Sequence, residues 1–395
     1  MQRLLAIVAC VLGCAPATSP RAGPAPGADA GTSPGDAGTA DAGTTAPGGP
    51  ADAGLPLATV VVHYDTGAGH AITLRGSGGP LDWSTGVPLS WNAGNLWEGS
   101  FALTAPVDCK PLYDDATWAI GPNWTLRPGQ RLDVWPFFFN QTGTVQEWAT
   151  AFPSQLLGDT RPIWVYTPPS YGENAAESYP VLYLQDGQNL FYDQDSFSGV
   201  SWDVEGAMDQ GAQDGTIREA IVVGIANDAN RIWEYTPTSD PSYDGGGAPD
   251  YLQFVVTELK PAIDQAFRTL PDRSDTLIGG SSLGGLLSAY AGIVDVQTFG
   301  LLMVMSPSTW WDGEWIVGQV AATAGAPLQP DRVYVDSGDA GPSNDDVTLT
   351  AQLAQAYADA GVPLDYLVQP GGQHSEVYWR QRFPGATAYL LGPRR

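Results

Sequence analysis

Asp275-Thr-Leu-Ile-Gly-Gly-Ser-Ser-Leu-Gly-Gly-Leu-Leu-Ser-Ala-Tyr-Ala-Gly-Ile293 is the stretch whose reading decides the fold. Its first half is a short apolar run suited to a buried strand, and its second half, Leu283 to Ile293, has the composition and length of a helix. Between them Gly280-Ser281-Ser282-Leu283-Gly284 fits Gly-x-Ser-x-Gly, the sharp strand-to-helix turn called a nucleophile elbow. The glycines allow the strained turn and close packing around it. Ser282, the central residue, is thereby exposed at the carboxyl edge of the sheet, while Ser281 holds the variable position. Glycine is abundant in this chain, with 48 residues, so the pentapeptide gains weight only from its surroundings.

Outward from the elbow, from about Val145 to Arg395, apolar runs alternate with helical segments. Ile163-Trp-Val-Tyr-Thr, Val181-Leu-Tyr-Leu-Gln, Ala220-Ile-Val-Val-Gly-Ile, Leu301-Leu-Met-Val-Met, Arg332-Val-Tyr-Val-Asp and Leu364-Asp-Tyr-Leu-Val read as further strands. Tyr251 to Phe267 and Val347 to Ala360 read as helices. Strands that are apolar almost throughout and separated by helices predict a mostly parallel sheet covered on both faces. With the elbow, the expected fold is the α/β-hydrolase arrangement.

A serine nucleophile needs a base. His374 is the single histidine after Ser282, in the loop Pro370-Gly-Gly-Gln-His-Ser-Glu after the last predicted strand; His63 and His70 lie far upstream. The acid that orients the imidazole falls between serine and histidine in this fold. The loop Val335-Asp-Ser-Gly-Asp-Ala-Gly-Pro-Ser-Asn-Asp-Asp offers Asp336, Asp339, Asp345 and Asp346. Asp345 is preferred over Asp339; helix capping by Asp345 or Asp346 and turn formation by Asp339 are the competing roles. The loop lacks the ligand spacing of an EF-hand. Oxyanion donors are expected from the backbone N–H of Leu283, which heads the helix, and of Gln188, in Asp186-Gly-Gln-Asn-Leu-Phe after a predicted strand.

These segments resemble the putative-esterase family that includes esterase D, enterochelin esterases and feruloyl esterases. The resemblance rests on Tyr183-Leu-Gln-Asp-Gly-Gln-Asn-Leu-Phe, Gly224-Ile-Ala-Asn-Asp with Arg231 and Glu234-Tyr-Thr-Pro, Gly279-Gly-Ser-Ser-Leu-Gly-Gly, and Gly372-Gln-His-Ser-Glu with Trp379. Asp-Gly-Gln-Asn-Leu-Phe and Arg-x-x-Glu-Tyr are nearest the enterochelin-esterase-like branch. The resemblance implies a Ser–His pair and an acyl-enzyme route, with an acid that varies within the family. Arg231 and Glu234 are candidates to face substrate or to form a buried ion pair. Trp310 and Trp311 are candidates to line the pocket or to pack. Neither metal nor organic cofactor is expected, since histidines are few and no phosphate loop with its lysine is present. The expected substrate is a small-molecule or glycan-linked ester. An acyltransferase on the same fold and a noncatalytic glycan-binding protein are the alternatives.

Before this region, about Leu55 to Asn140 holds short apolar runs broken by Gly, Pro, Asn and Asp, and reads as a small antiparallel β-sandwich. It carries Trp83, Trp91, Trp97, Trp118, Trp124 and Trp135 of the 14 tryptophans. Leu81-Asp-Trp-Ser-Thr-Gly, Asn95-Leu-Trp and Trp118-Ala-Ile-Gly-Pro-Asn resemble starch-binding-type carbohydrate modules and related immunoglobulin-like domains, with glycan binding and a structural β-domain packed against the enzyme as the two expected roles. Residues 15–54, rich in Ala, Gly, Pro and Asp, read as a disordered linker. Residues 1–14 read as an export signal whose Val11-Leu-Gly-Cys14 resembles a lipobox, which would tether the protein to the cell envelope; the alternative is an ordinary signal peptide cut slightly later, which would leave it secreted. The formal net charge of −26 with two lysines, Lys110 and Lys260, excludes nucleic acid as a partner. Cys109 is then the single cysteine of the mature chain, so no intrachain disulfide is expected.

Overall fold

A computed structural model describes residues 55–393; the export-signal, lipid-anchor and linker readings lie outside the described residues. Eight strands form the large sheet: β1 Thr144–Pro153, β2 Thr160–Thr167, β3 Val181–Gln185, β4 Ile221–Ile225, β5 Thr276–Ser282, β6 Leu301–Pro307, β7 Arg332–Gly338 and β8 Leu364–Gln369. Their order is β1-β2-β4-β3-β5-β6-β7-β8. β1 and β2 run antiparallel to their neighbours, and from β4 onward every pairing is parallel.

The apolar strands follow from burial on both faces. Along β3, Val181 and Tyr183 join a core with Tyr251, Leu259, Leu286 and Leu287. Leu182 and Leu184, pointing the other way, join Val204, Met208, Trp379 and Phe383. The helices Leu283–Val294 and Val347–Asp359 cover the first face, and Val204–Asp214 and Glu376–Leu391 the second. Each fully buried large aliphatic side chain contributes about 1.5–3 kcal/mol.

Two elements depart from the sequence reading. β1 was not expected, because as an edge strand it keeps much of its length exposed and carries polar residues there. The predicted helix Tyr251–Phe267 begins earlier, as Ala248–Phe254, widens into a π-helical turn at Val255–Leu259, and resumes as Lys260–Ala266. Pro261 has no N–H for the α-helical ladder, and the wider turn just before it absorbs that break.

Upstream, two smaller sheets enclose their own core. One joins Ser90–Asn92, Leu96–Ala102, Leu57–His63 and Arg131–Val134; the other joins Val87–Pro88, Ile72–Gly76, Val107–Tyr113, Thr117–Trp118 and Trp124–Leu126. Val60, Val62, Ile72, Leu74, Trp97, Phe101, Leu112 and Leu126 cluster there or are fully buried beside it. The pairings in these two sheets are antiparallel except that Leu57–His63 pairs parallel with Arg131–Val134. Glu173, in the turn after β2, ties this region down by accepting the N–H groups of Phe138, Phe139 and Asn140 at 2.5, 2.9 and 3.0 Å. Among the described residues no helix is long and apolar enough to cross a membrane.

Candidate active site

Ser282 is the last residue of β5 and stands at φ 59°, ψ −121°, a conformation that costs a non-glycine residue of order 1–3 kcal/mol. The elbow leaves little room for a side chain at its glycines. A Cβ on Gly280 would lie 3.0 Å from the Gly284 Cα, and one on Gly284 3.1 Å from the Gln185 Cβ. The Ser282 carbonyl accepts the Ser308 N–H at 2.9 Å, and the two hydroxyls are 3.3 Å apart. Ser306 and Ser308 lie where β6 ends, so two adjacent strand ends converge on the serine. Leu283 opens the helix Leu283–Val294, and its N–H belongs to the first turn, which has no acceptor within the helix.

Gln188 is the middle of the 3₁₀ turn Gly187–Asn189 that follows β3. Asp186 enters this turn with φ 56°, and its carboxylate is held by Arg231 through Nε at 2.7 Å and Nη2 at 2.8 Å, and by Asn227 Nδ2 at 2.5 Å. A Cβ on Gly187 would come within 2.5 Å of the Gly224 backbone, so the turn sits directly on β4. The Gln188 side chain accepts the Asn227 N–H at 3.3 Å. This turn is thus braced from both sides by fixed polar partners.

His374 lies in the loop between β8 and the helix Glu376–Leu391, and its Nδ1 is 2.6 Å from Asp345 Oδ1. Asp345 sits in the turn Asn344–Asp346, where all three residues have positive φ. That kink turns its carboxylate into the protein, leaving the residue 1% exposed. Oδ2 accepts the Gly338 N–H at 2.5 Å and the Ser306 hydroxyl at 2.6 Å. Burial pushes this carboxyl upward, yet the hydrogen bonds and charge of His374, with those of Ser306 and Gly338, hold it below the usual carboxylate range.

Behind it lies a second buried acid, Asp336, which accepts the Ser306 N–H at 2.9 Å. Arg382 Nε stands 3.0 Å from Asp336 Oδ2, close enough for an ion pair though not aligned as a hydrogen bond. Burial outweighs the arginine and pushes Asp336 up to about 6. Arg382 Nη2 also donates to Ser306 Oγ at 2.7 Å, as does Trp379 Nε1 at 3.0 Å. The Trp379 ring meets the His374 imidazole edge-on, with centroids 5.0 Å apart.

Several candidates fall elsewhere. Asp339 is exposed and accepts the Gly371 N–H at 2.6 Å, a turn-shaping role; Asp345, not Asp339, carries the bond to His374. Glu234 is 1% exposed and pairs in a two-pronged way with Arg161, which takes it out of any substrate-facing role. Arg231 pairs with Asp186 and lies over the Tyr235 ring. Trp311 is 2% exposed and donates to the Thr238 carbonyl, so it is core, whereas Trp310 stays partly exposed beside Tyr243. Among the described residues Asp159, Asp228 and Glu234 are the acids grouped closely enough to hold a metal ion, and Arg161 already bonds two of them. Ser306, Ser308 and Arg382 were missed; the first two directly follow the apolar run Leu301 to Met305, where this kind of sheet presents its site-forming residues.

The sequence matches the family described as Putative esterase over residues 154–390. An uncharacterised protein, YbbA, of Bacillus subtilis is 26% identical over 61% of this chain and 97% of its own length. An endo-1,4-beta-xylanase/feruloyl esterase of Xylanibacter ruminicola is 27% identical over 60% of this chain, which spans 30% of that longer protein. An iron(III) salmochelin esterase of Escherichia coli is 27% identical over 60% of this chain and 56% of its own length. Among solved structures the BES protein from Bacillus cereus has the same fold, with a TM-score of 0.51 at 21% identity, covering 62% of this chain and 94% of that one. Fold, site and relatives together define a carboxylic ester hydrolase of mixed α/β architecture. The chain belongs to the Putative esterase family.

Proposed function

We propose that the protein is a serine esterase in which Ser282 attacks the ester carbonyl, His374 takes its proton, and Asp345 fixes the imidazole and stabilises it once charged. The observation that carries this is the 2.6 Å contact from a buried, ionised Asp345 to His374 Nδ1, which commits Nδ1–H to the acid and leaves Nε2 as the base. Ser282 Oγ shares its hydrogen bond with Ser308; bonds to a catalytic base commonly tighten only with substrate bound. The backbone N–H groups of Leu283 and Gln188 receive the oxyanion. The tetrahedral intermediate collapses with cleavage of the ester C–O bond as His374 gives its proton to the departing alcohol; the neutral imidazole then takes a proton from water, which attacks the acyl-enzyme, and returns it to Ser282 Oγ as the carboxylic acid leaves.

For the substrate, a polysaccharide-linked ester is the reading we favour, with a siderophore-type lactone as the second. Trp83 and Trp118, each 39% exposed, have ring centroids 6.0 Å apart, and Arg75 lies over Trp118 at 5.3 Å. Exposed indoles of this kind offer faces on which sugar rings stack. They support a carbohydrate-binding, immunoglobulin-like role for residues 55–140. The salmochelin esterase relative supports the lactone. An exported, lipid-anchored location is the part of this proposal that rests on residues 1–14 alone.

The test is hydrolysis of p-nitrophenyl acetate and butyrate by wild type, Ser282→Ala and His374→Ala, followed by feruloylated, acetylated and trilactone substrates. Loss in both variants is expected. Retained turnover in Ser282→Ala, or a fluorophosphonate that fails to label Ser282, would end the serine-esterase reading.

A further inference from the structure

We infer that Ser306 is a positioning residue of this site, a fourth member of the relay that locks Asp345 onto His374 through a hydroxyl proton with a single available direction. The inference rests on the Ser282–His374–Asp345 reading and extends it. A serine hydroxyl has one proton to give and two lone pairs to accept with. Both groups that approach Ser306 Oγ besides Asp345, the Trp379 indole N–H at 3.0 Å and the Arg382 guanidinium at 2.7 Å, are donors only. They occupy the lone pairs, so the O–H points to Asp345 Oδ2 at 2.6 Å.

Ser306 is itself held in place. It has φ 36°, an unusual backbone conformation for a non-glycine residue, and its N–H is tied to Asp336 Oδ1 at 2.9 Å. Asp336 is in turn faced by Arg382, which lies 3.7 Å from Asp345 Oδ2 as well. One guanidinium thus sits between two buried carboxylates, and the serine hydroxyl delivers its polarity to the one that touches the histidine. With Gly338 N–H at 2.5 Å, Ser306 saturates Oδ2 and leaves Oδ1 as the acceptor for His374. Asp345 therefore cannot rotate without breaking two hydrogen bonds to an ionised group.

The experiment is a double-mutant cycle on ester hydrolysis. Ser306→Ala in the wild-type background is expected to lower kcat about 10- to 100-fold, the effect of losing one hydrogen bond to a charged group, with KM little changed. In an Asp345→Ala background the same substitution should change kcat less than about twofold, because nothing remains for Ser306 to hold. Equal losses in both backgrounds, or no loss in the first, would overturn the inference. Ser306→Cys, which retains a weak donor of similar shape, should fall between wild type and alanine. Should the alanine variant not fold, the cysteine variant is read by the downfield proton resonance of His374 Nδ1–H, which must move if Ser306 acts through Asp345. An unmoved resonance in folded Ser306→Cys would refute the idea. If Ser282→Ala or Asp345→Ala is itself fully active, the underlying serine-esterase reading fails; if both are strongly impaired and Ser306→Ala costs the residual activity of Asp345→Ala as much as it costs wild type, the Ser306 inference alone fails.

Discussion

Replacing Asp345 by asparagine tests the site where its geometry is most specific. The carboxylate has two unlike ends: Oδ2 faces two donors, Ser306 O–H and Gly338 N–H, and Oδ1 faces His374 Nδ1. An asparagine has one oxygen and one NH₂. Its oxygen must take the Oδ2 position, since an NH₂ there would confront two donors in a buried site. The NH₂ is then aimed at His374, Nδ1 becomes the acceptor, and the imidazole proton moves to Nε2. That tautomer cannot take the proton of Ser282. The expected loss is about 10³- to 10⁴-fold in kcat, roughly 4–5.5 kcal/mol of transition-state stabilisation at 1.36 kcal/mol per decade. KM should change little, because no substrate contact is removed. The assay is p-nitrophenyl acetate hydrolysis with a parallel fluorophosphonate labelling rate at Ser282, and both should fall together. A loss below tenfold in a folded variant would mean that the Asp345–His374 contact does not carry the chemistry.

The remaining predictions concern strain, pH and surface. Ser282→Gly should abolish turnover yet raise stability by about 1 kcal/mol, since glycine takes φ 59° without penalty; chemical denaturation reads this, and a destabilised variant would contradict the strain argument. Glu205 is pushed up to about 7, mainly by burial, so folding favours its protonated form and stability falls as pH rises from the unfolded glutamate value through about 7. Glu205→Gln should therefore raise Tm at pH 8 and leave it nearly unchanged at pH 4; equal gains at both would refute this. Arg161→Met leaves Glu234 buried without its partner and should cost about 3–5 kcal/mol in urea unfolding. Trp83→Ala with Trp118→Ala should weaken retention on insoluble polysaccharide several-fold while p-nitrophenyl ester turnover stays at the wild-type level.

How much of this was legible in the sequence depended on whether the determinant was local. The elbow was, because a sharp turn between a strand and a helix needs small residues at fixed offsets, and Gly280 and Gly284 supply them around Ser282. The inner strands were, because burial on both faces makes their sequences mostly apolar. β1 was not, since an edge strand with polar, exposed residues has no such signature. The choice among Asp336, Asp339, Asp345 and Asp346 was not decided by spacing either, and the structure shows why. Asn344, Asp345 and Asp346 all take positive φ, so neither strand nor helix periodicity predicts which carboxylate turns inward. What selects Asp345 is the donor set waiting for it: Gly338 at the end of β7, Ser306 at the end of β6, and His374 beyond β8. Three strand ends far apart in the chain meet at one carboxylate only after the parallel sheet has formed. Arg382 belongs to the same class, because its guanidinium acquires meaning from Asp336 and Ser306, residues more than seventy positions away for Ser306 and on a different element for both. The acid of such a site is therefore specified by the assembled sheet edge rather than by its own loop, which is why a substitution at Ser306 should be felt at Ser282 although the two belong to different strands.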